Sequence, residues 1–113
     1  MSDCLFCKVA AGDIPADIVL ETDDVVAFRD IDPQAPTHVL VIPRKHFDNV
    51  ADLTREDQAL AARVLGATAE VAQLEMLDHG YRVVTNTGSD GGQSVRHVHF
   101  HVLGGRGLTW PPG

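Results

Sequence analysis

The sequence contains no long hydrophobic run and few basic residues. None of its apolar stretches approaches the roughly 20 residues that a membrane span requires. Residues 1–15 lack the apolar stretch of a secretory signal, so we expect a cytoplasmic protein. Nine Lys and Arg stand against sixteen Asp and Glu, which gives a net charge of −7. Because binding to a nucleic-acid backbone needs an excess of basic residues, neither nucleic acid nor a membrane is an expected partner.

Cysteine is also scarce, since Cys4 and Cys7 are the only two. In a reducing compartment such a pair is more typical of a metal site or of free thiols than of a structural disulfide. Internal repeats, low-complexity tracts and linker-like stretches are missing. At 113 residues, with 44% hydrophobic and 22% charged residues, the chain is expected to form one soluble globular domain over residues 1–113.

The hydrophobic pattern predicts two helices and five strands. A short helix over residues 4–13 should end at Gly12, and a long helix over residues 53–77 should begin at a Thr54 cap and end before Gly80. The apolar face of the long helix should consist of Leu60, Val64, Ala67, Val71 and Leu74. Strands are predicted at residues 17–21, 25–30, 37–43, 81–86 and 94–103. This order predicts the α+β class, with a mostly antiparallel five-stranded sheet.

Half of the six histidines occupy alternate positions in the last predicted strand, as His97, His99 and His101. Alternate residues on a strand share one face and lie roughly 6.6 Å apart. We expect the three imidazoles to line an accessible face, while Val98, Phe100 and Val102 (the residues of the other face) pack beneath the long helix. Such a row suits a zinc site, or nucleophilic catalysis on phosphorus, and its spacing alone does not separate the two.

The segment before the histidines, "NTGSDGGQS" at residues 86–94, is rich in glycine. Glycines allow backbone N–H groups to approach an anion closely and so to form a phosphate cradle. Most glycine-rich loops are ordinary turns, but this one directly precedes a row of imidazoles. The combination favours chemistry on an anion over a structural metal on this face.

These motifs together resemble a known family. "HVHFHVL" at residues 97–103 resembles the His-x-His-x-His-x-x pattern of the histidine triad (HIT) superfamily. "DIDPQAPTHVLVIPRKH" (30–46), "NTGSDGGQSVRHVHFHVLGGR" (86–106) and "WPPG" (110–113) resemble its Hint branch, the nucleotide-binding phosphoramidases. The resemblance runs from Phe6 to Gly113, nearly the whole chain, and implies the HIT-like fold.

The resemblance also implies roles for individual residues. His99 would attack the α-phosphorus of a purine nucleotide and form a nucleotidyl-histidine that water hydrolyses, while a backbone carbonyl holds its other ring nitrogen. The phosphate would contact His101, Asn86 and the Gly92 N–H, with Gln93 in the same loop and Ser94 near the leaving group. His97 and His38 would buttress the site, and Asp30 would bind the ribose. The purine slot would be formed by the apolar residues Phe6, Val9, Ile14, Phe28 and Ile31.

The same resemblance implies a homodimer whose sheets join across a two-fold axis. The tail that carries Trp110 would then lie near the partner's active site. Bacterial-type members of this family resemble the chain in carrying an N-terminal Cys-x-x-Cys. The implied structural zinc would bind Cys4, Cys7, His46 and His97, while catalysis itself would need no metal. Two free thiols are the alternative for the cysteine pair.

The sequence leaves four functions open. The first is a purine nucleotide phosphoramidase, which cleaves an amine or acyl group from an α-phosphate. The second is a dinucleoside polyphosphate hydrolase. The third is a non-catalytic nucleotide sensor or scaffold whose histidines only bind. The fourth is a purely structural zinc protein.

Overall fold

The computed structural model describes residues 3–113. Within this range the chain forms eight elements, in the order of one helix, three strands, two helices and two strands: α1 Leu5–Ala11, β1 Ile18–Glu21, β2 Val25–Arg29, β3 Thr37–Pro43, α2 Val50–Glu56, α3 Gln58–Leu74, β4 Tyr81–Val84 and β5 Phe100–Gly104. The predicted α+β class and five-stranded sheet are confirmed. No helix within residues 3–113 combines the length and the apolar composition needed to cross a bilayer.

The sheet has the strand order β1-β2-β3-β5-β4, and all four pairings are antiparallel. Strand β3 lies at its centre and is buried at all seven positions. A strand with helices on both faces needs apolar side chains on both, which explains why "THVLVIP" reads as a continuous apolar run.

Two hydrophobic clusters cover opposite faces of the sheet. The larger one lies under α2 and α3 and contains Val64 and Val71 together with Val98, Phe100 and Val102. The smaller one lies under α1 and contains Phe6, Val9, Val26, Phe28, Leu40 and Ile42. Because strand residues alternate between faces, this division directs His99 and His101 away from the long helix and towards α1.

Helix α1 has the predicted C-terminal stop. Gly12 adopts φ 81°, in the left-handed region, and its N–H donates to carbonyls of the last turn. At the other end Cys4 is the N-cap, and its Sγ accepts the N–H of Cys7 at 3.3 Å. The cap therefore brings the two cysteines together at one end of the helix.

The prediction of one long helix over residues 53–77 was wrong. Two helices, α2 and α3, meet at Asp57, whose side chain accepts the N–H of Leu60 and so begins a new helix. Asn49 caps α2, so Thr54 lies inside that helix and is not a cap. The apolar spacing continues across the junction, whereas an Asp side chain that competes for backbone N–H groups interrupts the helix.

The C-terminal part of that prediction also needs correction. Helix α3 ends at Leu74, six residues before Gly80. Leu74 is exposed, whereas the other four predicted face residues, Leu60, Val64, Ala67 and Val71, are buried.

The last strand is shorter than predicted, since β5 begins at Phe100 and residues 94–99 are irregular. The N–H of Val98 donates at 2.7 Å to the carbonyl of Phe47, which lies outside the sheet. The alternation of faces nevertheless continues through this segment, because Val98 packs in the same cluster as Phe100 and Val102.

Candidate active site

A cavity of about 610 Å³ opens between α1 and the sheet. Register places its residues in a row, because His101 on β5 pairs with Leu40 on β3, and Leu40 pairs with Phe28 on β2. Neighbouring strands lie about 4.8 Å apart, so Phe28 is about 10 Å from His101 across the sheet. Its wall combines polar and apolar residues, His99, His101 and Ser94 together with Phe6, Val9, Ile14 and Phe28.

The hydrogen bond of His99 determines which ring nitrogen is nucleophilic. Its Nδ1 lies 2.8 Å from the backbone carbonyl of His97, in a buried setting. A carbonyl only accepts, so Nδ1 carries the proton and Nε2 keeps its lone pair. The Phe6 ring packs edge-on against the imidazole at 5.1 Å, and the hydroxyl of Thr85 donates to the His99 carbonyl. In its neutral form His99 therefore presents an available Nε2 to the cavity.

A chain of hydrogen bonds gives His101 the opposite tautomer to that of His99. The N–H of Gln34 donates to Nδ1 of His38 at 3.0 Å, so the proton of neutral His38 is on Nε2. That nitrogen donates to Nδ1 of His101 at 2.8 Å. His101 must then carry its own proton on Nε2, where it is a hydrogen-bond donor. Two neighbouring imidazoles thus offer the cavity one lone pair and one N–H.

Burial keeps His101 neutral. Burial first, and then the nearby His99 and His38, lower the pKa of His101 from 6.5 to about 4 against the opposing effect of Asp30. The pKa of His38 is also lowered, chiefly by burial. The donor at the cavity wall is therefore an uncharged N–H at neutral pH.

We expect the stability of the protein to fall as the pH is lowered from about 6.5 to about 4. A histidine in the unfolded chain has a pKa of about 6.5, so the unfolded state binds more protons than the folded state within this window. Replacing His101 by Gln should flatten the pH dependence of the free energy of unfolding, measured by urea titration at pH 7 and pH 5. The exposed His79→Gln variant is the control, and equal slopes in the two variants would contradict the expectation.

Asp30 follows β2 and lines the cavity next to these histidines. Its Oδ1 accepts the N–H of Asp32 at 2.8 Å, and its Oδ2 lies 3.4 Å from Nε2 of His38. The carboxylate is thereby held in place while it faces the cavity. An oriented carboxylate is a suitable acceptor for a pair of hydroxyl donors.

The glycine loop, residues 86–94, is closed by its own hydrogen bonds. The side-chain amide of Asn86 donates to the carbonyl of Gly91, and the N–H of Gly92 donates to Ser89. A Cβ on Gly91 would collide with the backbone of Thr87, so this close approach requires glycine. Within this loop Ser94 lines the cavity wall, whereas Asn86, Gly92 and Gln93 lie outside it.

Behind the cavity lies a second group of side chains, which we call the thiol cluster: Cys4, Cys7, His46 and His97. Nδ1 of His97 lies 3.3 Å from Sγ of Cys4 and 3.4 Å from Sγ of Cys7, and Nδ1 of His46 lies 3.4 Å from Sγ of Cys7. Tetrahedral zinc, with Zn–S of about 2.3 Å and Zn–N of about 2.0 Å, places neighbouring ligand atoms about 3.5 Å apart. The spacing of the donor atoms therefore fits zinc.

The hydrogen bonds of Nε2 in both cluster histidines also fit a zinc site. Nε2 of His97 donates to the carbonyl of Pro43 at 2.9 Å, and Nε2 of His46 lies 3.0 Å from the carboxylate of Asp48. Each bond leaves Nδ1 unprotonated and directed at the sulfurs. Metal-binding histidines characteristically donate their second N–H to a carbonyl or carboxylate in this way.

Comparison with known proteins identifies the family. The family model for the HIT domain matches residues 11–108. The chain belongs to the HIT family. A HIT-like protein of Synechococcus elongatus is 51% identical over 111 residues, which are 98% of this chain and 97% of that protein.

Solved structures of HIT proteins share the fold over nearly the whole chain. A HIT family hydrolase from Legionella pneumophila has a TM-score of 0.94 at 53% identity, covering 98% of this chain and all of that one. A histidine triad nucleotide-binding protein from Candida albicans has a TM-score of 0.83 at 32% identity, covering 96% of this chain and 83% of that one.

The structure corrects one expectation about the HIT histidines, which do not form an accessible row. His97 is 0% exposed and His99 5% exposed. The reason is α1, which packs over this face and brings the cysteines against His97. The three rings accordingly divide between two sites, with His97 in the thiol cluster and His99 and His101 at the cavity.

The other predicted residues fall in three places. Asp30, Ile31, Phe6, Val9, Ile14 and Phe28 line the cavity, although the Ile31 side chain is fully exposed at its mouth. His38 lies behind His101. Trp110 is 80% exposed, and the carbonyl of the preceding Thr109 accepts a bond from Arg82. The homodimer and the position of this tail in it stay predictions.

Sequence reasoning missed several residues that the site uses. Leu40 lines the cavity opposite His101, and alternation along β3 from His38 was the signal that could have found it. Asp48, two residues after His46, places its carboxylate 3.0 Å from Nε2 of that histidine. Thr85 and the Pro43 carbonyl carry no sequence signal, because their partners lie on distant elements.

Proposed function

We propose that the protein is a nucleotide hydrolase of the phosphoramidase type, which cleaves a purine nucleoside phosphoramidate or acyl-nucleotidylate at the α-phosphorus. The observation that carries the proposal is the His99 tautomer. Its Nδ1–H is bound to the His97 carbonyl, which leaves the Nε2 lone pair at the wall of a cavity that apolar side chains also line. Names of HIT relatives, a hydrolase and a nucleotide-binding protein, support the same class.

In the proposed reaction His99 Nε2 attacks the α-phosphorus and forms a P–N bond. The bond from phosphorus to the leaving amine breaks, and the amine takes up a proton from solvent as it departs. Water then attacks phosphorus and releases a proton to solvent, the P–N bond to His99 breaks with its electron pair returning to Nε2, and the nucleoside monophosphate leaves with the oxygen of that water. Nucleophilic catalysis of this kind replaces one difficult displacement by two easier ones.

The other polar groups of the cavity have matching roles. His101 Nε2–H, set by the His38 bond, can donate to a non-bridging phosphate oxygen as negative charge develops. Ser94 also lines the cavity and can donate to the leaving group. Asp30 can accept hydrogen bonds from the ribose hydroxyls, and the purine can lie against the apolar wall formed by Phe6 and Phe28, whose rings pack edge-on at 5.4 Å. A flat aromatic base suits this apolar slot.

We also propose that the thiol cluster is a structural zinc site. Its two thiolates and two imidazoles match the ligands that closed structural sites use. Bound zinc would supply cross-linking of α1 to the sheet through Cys4 and Cys7 on one side and His46 and His97 on the other. It has no role in the chemical steps above.

The proposal is tested by turnover of a fluorogenic adenosine phosphoramidate, compared with diadenosine triphosphate at equal concentration. We expect the phosphoramidate to have the higher kcat/KM, and an adenylyl adduct on His99 to be detected by mass spectrometry after rapid acid quenching. Preferential cleavage of diadenosine triphosphate would favour the dinucleoside polyphosphate hydrolase instead. Binding of AMP without turnover of either compound would favour a nucleotide sensor.

A further inference from the structure

The thiol cluster and the cavity are joined through His97 and through α1. The His97 ring belongs to the cluster, while its backbone carbonyl holds Nδ1–H of His99 at 2.8 Å. Phe6 lies between Cys4 and Cys7 on α1, lines the cavity and contacts the His99 ring. Anything that moves the cluster residues therefore moves two parts of the cavity wall.

A third connection passes through the side chain of Gln93. Its Nε2 donates to the backbone carbonyl of Asp48, and its Oε1 accepts the N–H of Gly88 at 3.0 Å. The same Asp48 holds His46 through its carboxylate. Gln93 thus bridges the turn that positions a cluster histidine and the glycine loop that carries Ser94. Since its amide oxygen and nitrogen are both occupied by the protein and it lies outside the cavity wall, its bonds hold the loop.

We propose that Gln93 is a positioning residue that couples Zn²⁺ binding at the thiol cluster to nucleotide binding in the cavity. The inference rests on the proposed function, because it takes a nucleotide as the ligand of the cavity. Zn²⁺ at the cluster holds His46 and hence Asp48, and Gln93 passes this constraint to the glycine loop. Coupling between two sites is reciprocal, so a nucleotide must tighten Zn²⁺ binding by the same factor as Zn²⁺ tightens nucleotide binding.

Two substitutions separate the two ends of this bridge. Gln93→Glu keeps an oxygen for the Gly88 N–H but has no N–H for the carbonyls of Asp48 and Val95, so it breaks the connection to the cluster together with the local bond to Val95. Gln93→Ala removes both connections. Gln73→Ala is the matched control, because Gln73 is exposed on α3 and distant in sequence from either site. Circular dichroism melting establishes that each variant folds.

The test measures the Kd for Zn²⁺ of the full chain by competition with a chromophoric chelator, with and without saturating AMP. For the wild type and Gln73→Ala we expect AMP to lower this Kd by at least about fivefold, the lower end for coupled sites. For Gln93→Glu and Gln93→Ala we expect a clearly smaller factor than for the wild type, since the connection through Gln93 is lost while the connections through His97 and Phe6 and all four ligands remain. The reciprocal titration, AMP affinity with and without Zn²⁺, must give the same factors.

Every other result contradicts either the coupling, the role of Gln93 or the proposed function. If the wild type binds Zn²⁺ and AMP independently, or binds no Zn²⁺, the coupling is wrong while the proposed function stands. If AMP changes the Kd for Zn²⁺ of both Gln93 variants by the same factor as that of the wild type, Gln93 does not transmit the coupling. If AMP binds to neither the Zn²⁺-loaded nor the Zn²⁺-free chain, the proposed function fails, and the coupling fails with it.

Discussion

Replacing His99 by Asn is expected to lower kcat for an adenosine phosphoramidate by on the order of 10⁴-fold or more, since the covalent intermediate has no nitrogen on which to form. Asn is the informative substitution because its side-chain N–H can replace Nδ1–H as donor to the His97 carbonyl. The surroundings of the ring are thereby kept while Nε2 is removed. Single-turnover kinetics measures the loss of turnover, and mass spectrometry of the quenched protein measures the loss of the adenylyl adduct.

The control for this substitution is His79→Asn, because His79 is an exposed histidine outside the cavity wall. It should retain wild-type turnover. The affinity of His99→Asn for AMP should change by no more than a few fold, because the apolar slot and Asp30 are untouched. A variant that retained a hundredth or more of the wild-type kcat would rule out His99 as the nucleophile.

Removing zinc from the thiol cluster is expected to lower the melting temperature by roughly 15 °C. A ligand present at about a thousand times its Kd stabilises the folded state by about 4 kcal/mol. For a chain of this length 1 kcal/mol corresponds to about 4 °C. Calorimetry of the Zn²⁺-saturated protein before and after treatment with a strong chelator measures the shift.

His46→Ala and His79→Ala form a matched pair for this measurement, because both remove an exposed histidine and only His46 belongs to the cluster. We expect the chelator to shift the melting temperature of His79→Ala by the wild-type amount and that of His46→Ala by much less. A wild-type protein whose melting temperature is the same with and without chelator would show that the cluster is not a zinc site.

Most of the fold could be predicted because its signals are local. The short helix ending at Gly12, the buried strand β3 and the alternation of faces around Val98 each follow from residues within a few positions of one another. The errors arose where a hydrogen bond interrupted a hydrophobic pattern, once from a side chain and once within the backbone. Asp57 begins a new helix inside a continuous apolar spacing, and the segment before Phe100 bonds to Phe47 outside the sheet.

The sequence indicated the residues of the candidate site one by one, but not their division between the cavity and the thiol cluster. His97, His99 and His101 look equivalent in the sequence, since each is followed by an apolar residue. In the structure Nδ1 of His97 lies beside two thiols, Nδ1 of His99 faces a backbone carbonyl, and Nδ1 of His101 faces the imidazole of His38. Gln93, expected at the nucleotide, bonds instead to Asp48, Val95 and Gly88.

The sequence by itself determined the types of chemical group and their local order: alternate imidazoles, a glycine loop before them and a pair of cysteines at a helix start. The tertiary structure decided which nitrogen carries the proton in His97 and in His101. That choice depends on the atom facing each ring, such as the carbonyl of Pro43 for His97 and the imidazole of His38 for His101, more than 50 residues away in the chain. Local spacing cannot specify such contacts, because the packing of β3 and α1 against β5 creates them.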